Sequence, residues 1–122
     1  MSELLDDFGS ELMLEARDEA VAVLDRLVEG RDESDRGRRM SSLLGELSAR
    51  EVEACRALAL EAVDITLHYV LWMFERSDRF DIVDRRPQEQ PVSVRDLSDG
   101  LSGELYTEDG WIARFSRFGQ AV

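Results

Sequence analysis

Apolar residues recur along the start of the chain at a helical interval. Leu5, Phe8, Leu12, Ala16, Ala20, Val23 and Leu27 are spaced 3, 4, 4, 4, 3 and 4 apart, which places them on one side of a helix of about seven turns. Ser2 stands where a cap belongs and Gly30 where such a helix ends. Gly9 marks a bend or a break, with Ser10 as a second cap. The segment RDESDRGRR (31–39) is polar, of mixed charge, and reads as a connector. Met40, Leu43, Leu44 and Leu47 then predict a short second helix.

Ser48 followed by Glu51 matches a capping box. Nothing interrupts the helix it opens, at about 49–77. At about 100° per residue, Val52, Cys55, Ala59, Ala62, Val63, Thr66, Leu67, Val70, Met73 and Phe74 spread over a wide apolar arc. Glu53, Glu61, Asp64, His68, Trp72 and Glu75 form a narrow opposite stripe. The pattern predicts a central helix covered by neighbours on most sides, with Cys55 buried and inert.

Beyond Ser77 the period changes. RFDIVD (79–84) reads as a strand, RRPQEQP (85–91) as a loop and VSV (92–94) as a second strand. Ser93 or Asp96 opens a short helix through Leu101–Leu105. Asp109-Gly110 is a turn signal, and WIARFSRF (111–118) alternates large apolar with polar residues as a last strand does. The expected fold is α+β and helix-dominated: three N-terminal helices, the long one at about 49–77, then a small antiparallel β-sheet. One domain is expected over 1–122, helical to residue 77 and β-containing from 78.

Charge adds a partner hypothesis. The chain carries 27 acidic residues against 15 basic ones, every one an arginine, for a net charge of −12. Residues 1–30 hold nine acids and two arginines, more than half of that net charge. High-GC codon usage, a salt-rich cytoplasm, or an acidic face that captures a basic partner each explain this. The balance argues against nucleic acid, whose phosphates such a surface repels, and against anionic membrane. The longest nearly apolar run, Ile65 to Phe74, spans ten residues, short of the roughly 20 of a membrane span. The N-terminus lacks a basic stretch followed by an apolar one, so a cytoplasmic protein is expected. Cys55 is the single cysteine.

Chemistry is sparse. Asp64 and His68 lie one turn apart and can touch across a helix face. The bundle di-metal pattern requires a glutamate three residues before the histidine, and that position is Ile65. No phosphate-binding glycine loop and no serine–histidine–carboxylate arrangement is present. No catalytic residue, metal or cofactor is therefore expected. Candidate partner-binding residues are Asp6, Asp7, Glu11, Glu15 and Asp18 on the acidic helix, Glu108 and Asp109 at the turn, and Trp72 and Trp111 as aromatic anchors. A solvated face, a structural hairpin and a helix–strand joint are the plainer explanations of these three sets.

Two stretches, LHYVLWMFERSDRFDIV (67–83) and DLSDGLSGELYTEDGWIARFS (96–116), resemble small uncharacterised bacterial proteins encoded near polymorphic-toxin and other conflict systems. Those proteins end in a similar Glu–Leu–Tyr/Phe, Asp/Glu–Gly–Trp–Ile sequence. The resemblance covers the C-terminal half and transfers no functional residue. It implies an immunity- or inhibitor-like role. The expectation is a non-catalytic acidic protein that neutralises a basic protein partner such as a toxin or nuclease. A structural subunit of a homo-oligomer or larger complex is the alternative, and a small enzyme using Asp64 and His68 is the second.

Overall fold

The computed structural model describes residues 3–86 and 90–121, of which 66% are helical. Ser2 and part of the expected 85–91 loop lie outside the described residues. The first apolar stripe becomes one continuous helix in three parts: α1 (Glu3–Leu12), a wide π-turn (Met13–Arg17) and α2 (Asp18–Val28). Leu12 and Arg17, at the two joints, both keep right-handed helical angles. Every fourth residue from Leu5 to Val21 is buried: Leu5, Gly9, Met13, Arg17 and Val21. A row of fours drifts by about 40° per step in an α-helix of 3.6 residues per turn, and the wider turn absorbs part of that drift. The buried face is therefore rotated from the expected stripe, and Ala16 and Ala20 end up exposed.

Gly9 neither bends nor breaks this helix. A Cβ there would lie 2.4 Å from the Trp111 indole, so its missing side chain is the notch that admits the ring. Gly30 does end α2, with φ +72°. Its N–H donates to the Leu27 carbonyl (3.3 Å) and the Arg31 N–H to the Arg26 carbonyl (2.9 Å), a Schellman closure. α3 (Asp35–Leu44) starts inside the expected connector, because Ser34 Oγ accepts from the Gly37 N–H at 3.1 Å and opens the helix ahead of Met40.

α4 (Ala49–Arg76) matches the expected long helix. Its capping box is complete: the Glu51 N–H donates to Ser48 Oγ (3.1 Å) and the Ser48 N–H to the Glu51 carboxylate (2.9 Å). The Asp25–Arg56 ion pair (2.6 Å) ties its N-terminal half to α2. The Ser102 N–H donates to Glu75 (3.1 Å) and ties its C-terminal end to a 3₁₀ turn, Leu101–Leu105.

The expected antiparallel sheet does not form: no strand occurs among the described residues. Val83 and Ser93 make one isolated antiparallel bridge, beside which the Val94 N–H donates to the Ile82 carbonyl at 2.9 Å. Two such short runs are marginal as a lone ribbon, and no third strand joins them. WIARF forms α5 (Trp111–Phe115) instead. Over five residues, apolar positions 111, 112 and 115 fit a helical face as well as 111, 113 and 115 fit a strand face. Packing against α1 decides between them. Trp111 enters the Gly9 notch and meets Phe8 edge-to-face at 5.7 Å. Around it lies the main core of Leu5, Met13, Leu71, Val94, Leu101, Leu105 and Ile112.

Candidate functional site

α4 is covered on one side only, and that side takes in Asp64 from the stripe expected to be its polar face. Leu60, Asp64 and Leu71 face inward and are buried. On the outer side Leu58 is 73% exposed, Tyr69 58%, Met73 50%, Ile65 49%, Val70 43% and Trp72 39%. Cys55 lies there too and is exposed, not buried as its place in the apolar arc predicts. Those six exposures amount to about three fully bared large side chains, on the order of 600 Å² at roughly 150–250 Å² each. The largest apolar patch on a monomeric soluble protein is about 300–600 Å². Between Glu51 and Arg76 this face holds no charged residue, in a chain that is 34% charged.

Tyr69 and Trp72 meet edge-to-face at 5.9 Å, and the Arg76 guanidinium lies 4.5 Å above the Trp72 ring. Alongside runs an apolar groove of about 410 Å³, where Ala16 and Ala20 face Ala59, Ala62, Val63 and Thr66 over Arg17. By length and composition α4 is also the one helix among the described residues apolar enough to cross a membrane, with 17% of that stretch buried. Glu61 and Asp64 stand in its middle.

The π-turn delivers two consecutive charged residues into the interior. Arg17 forks onto Asp64, Nε to Oδ1 at 2.7 Å and Nη2 to Oδ2 at 3.1 Å, and both side chains are shut off from solvent. The remaining guanidinium donors reach Ser116 Oγ (2.8 Å), the Gly119 carbonyl (3.1 Å) and the Phe118 carbonyl. Asp18 accepts from the Ser116 hydroxyl and from the Arg117 N–H (3.0 Å). Full pairing is what lets a guanidinium sit in the interior. Together the two residues hold segment 116–119 against the helix joint.

Asp64 therefore spends both oxygens on Arg17, and no acid–base pair with His68 is assembled. The His68 ring contacts Tyr69 (4.9 Å between centroids) and Tyr106 (5.8 Å), and its buried Nδ1 has no hydrogen-bond partner. The Tyr106 hydroxyl donates to the Asp64 carbonyl at 3.4 Å. Burial pushes that phenol above its ordinary value, and the nearby Asp64 and Glu61 charges add to the shift. No group of three or more metal-binding side chains occurs among the described residues.

The residues expected to bind a partner divide in two. Asp7, Glu11 and Glu15 are exposed and continue through Glu19 as a ridge of carboxylates every fourth residue. Glu108 and Asp109 are exposed at their turn, and Trp72 lies on the outer face of α4. Asp6 is half-buried and paired with Arg114 at 2.8 Å. Asp18 and Trp111 are fully buried, which corrects their expected place at a surface. Asp18 is spent on segment 116–117, and Trp111 on the Gly9 notch. Sequence reasoning missed Arg17 altogether. It lies 47 residues from Asp64, and a single arginine on an acidic helix carries no local sign of burial.

No model of a known protein family matches the chain, and neither a curated protein nor a solved structure matches it. The functional reading rests on the surfaces.

Proposed function

We propose that the protein is a non-catalytic assembly module that works by seating the outer face of α4 against another protein. The observation that carries this is the charge-free apolar face between Glu51 and Arg76. Covering about 600 Å² is worth roughly 15 kcal/mol gross at about 25 cal/mol per Å². Association costs of about 4–15 kcal/mol offset much of it. Left in water, the same face contributes nothing to the fold and invites aggregation.

The test is Ile65→Glu combined with Tyr69→Glu, two changes confined to exposed positions. The variant is expected to keep the wild-type circular dichroism. It should lose every complex that the wild-type protein forms when recovered from its native host. Identical complexes from both proteins would sink the reading.

The ridge Asp7, Glu11, Glu15 and Glu19 favours a second reading: electrostatic capture of a basic protein, the immunity-like role that the C-terminal resemblance implies. Exposed carboxylates steer a cationic partner and lose their grip as salt screens them. Glu11→Lys with Glu15→Lys should then abolish binding to that partner and leave α4-dependent complexes untouched. Binding that is insensitive to both this reversal and salt would count against it.

A further inference from the structure

The outer face of α4 has the spacing of a helix-pairing seam. Glu51, Cys55, Leu58, Ala62, Ile65, Tyr69, Trp72 and Arg76 follow at intervals of 4, 3, 4, 3, 4, 3 and 4. The series is complementary to its own reverse about a midpoint between Val63 and Asp64. Reversed on itself, Ala62 falls opposite Ile65, Leu58 opposite Tyr69, Cys55 opposite Trp72 and Glu51 opposite Arg76. The two largest mismatches in size thus meet as small against large, and the only two charges meet as opposites.

Resting on the reading of this face as a docking surface, we propose that its occupant is α4 of a second copy, packed antiparallel about a twofold axis at that midpoint. One patch meeting itself is the isologous arrangement of most dimers. With Val70 and Met73 at the seam's edge covered along with its four exposed large side chains, two copies bury about 1,200 Å², close to the roughly 1,000 Å² that marks a specific interface. Leu60, Asp64 and Leu71 already face the protein's own core, so pairing requires no unfolding. A parallel pair would set Glu51 against Glu51, Arg76 against Arg76 and Trp72 against Trp72, with repulsion at both ends. A basic partner helix would find no acid on the face between its ends. A bilayer would have to accept Glu61, which borders the stripe.

Sedimentation equilibrium of the full chain reads the mass. A species of twice 13.9 kDa is expected at tens of micromolar. Ile65→Glu, and independently Leu58→Glu, should return it to 13.9 kDa with helicity unchanged. Oxidative cross-linking then reads the register. Cys55 and the partner's Cys55 are separated by about 25 Å along the axis, at roughly 1.5 Å per residue, so the wild-type dimer should not cross-link. Trp72→Cys places a second thiol opposite Cys55 and should give a covalent dimer in high yield.

A wild-type monomer at about 100 µM, a dimer indifferent to both glutamates, or a Cys55–Cys55 cross-link each overturns the proposal. If the wild type is monomeric and the variants still lose host complexes, only the second copy fails and the docking surface stands. Flotation of a monomer with neutral phosphatidylcholine vesicles assigns the face to lipid and overturns both.

Discussion

Replacing Arg17 with alanine removes both donors from a carboxylate that has no access to water. The side chains of Arg17 and Asp64 are 0% and 2% exposed, and this sets the scale. A pair of the same geometry on the surface is worth about 0–1 kcal/mol. Breaking a buried pair by deleting one partner costs about 3–5 kcal/mol. The half-buried Phe118 carbonyl also loses its Arg17 donor, at about 1 kcal/mol, since the Ser116 proton is engaged by Asp18. The exposed Gly119 carbonyl takes water in place of its lost donor. The expected loss is therefore about 4–6 kcal/mol. A domain of 122 residues has on the order of 6–18 kcal/mol in all. Urea unfolding followed by circular dichroism should show the midpoint collapse for Arg17→Ala. An apolar double variant, Arg17→Met with Asp64→Leu, should recover to within about 2 kcal/mol of wild type, since the unpaired charge is gone. A loss below about 1 kcal/mol for Arg17→Ala, or strict additivity of Arg17→Ala and Asp64→Ala, would refute the clamp.

Other changes follow from single contacts. Gly9→Ala adds a methyl 2.4 Å from the Trp111 ring. The overpacking penalty of about 1–3 kcal/mol should exceed the helix-propensity gain of about 1 kcal/mol, and a thermal melt that rises contradicts the notch. Trp72→Phe should leave a blue-shifted emission from buried Trp111 that acrylamide barely quenches, and a red-shifted, quenchable one would put that ring at the surface. Hydrogen bonds from the Ser48 backbone and side chain hold the Glu51 carboxyl below its ordinary 4.5. A carboxyl lowered on folding stabilises fully above its unfolded value and loses that contribution as pH falls through the folded one. The melting-temperature gap between wild type and Glu51→Ala should accordingly be constant from pH 7 down to about 5 and narrow below about 4.5; a gap that widens on acidification gives the wrong sign.

What could be read from the sequence was local. The Ser48–Glu51 box spans four residues and fixed the start of α4 without help from the rest of the chain. Gly30 needed only its own neighbours to terminate α2. The apolar arc of α4 was also legible, but periodicity says which residues are apolar and not what lies over them. Val70 and Met73 belong to the same arc as Leu67 and Phe74, yet only the latter pack against the core. WIARF was too short for its period to separate helix from strand, and the choice was made by Gly9, about a hundred residues earlier. The same separation hid the clamp. Arg17 and Asp18 find their partners at Ser116–Gly119, and no composition signal spans that distance.

That separation also has a consequence for synthesis. Arg17 emerges from the ribosome early and must wait for residues 116–119 before all its donors are engaged. Trp111, which fills the notch beside Gly9, arrives almost as late. A nascent chain stopped after Phe115 would carry its helices and an open joint between them, with Asp18 stripped of its serine and its backbone donor. Local helices form early, but contacts of such long range close last. Such a chain should be cut readily by protease and the full one should resist. The clamp thereby makes protease resistance of residues 3–115 depend on segment 116–119.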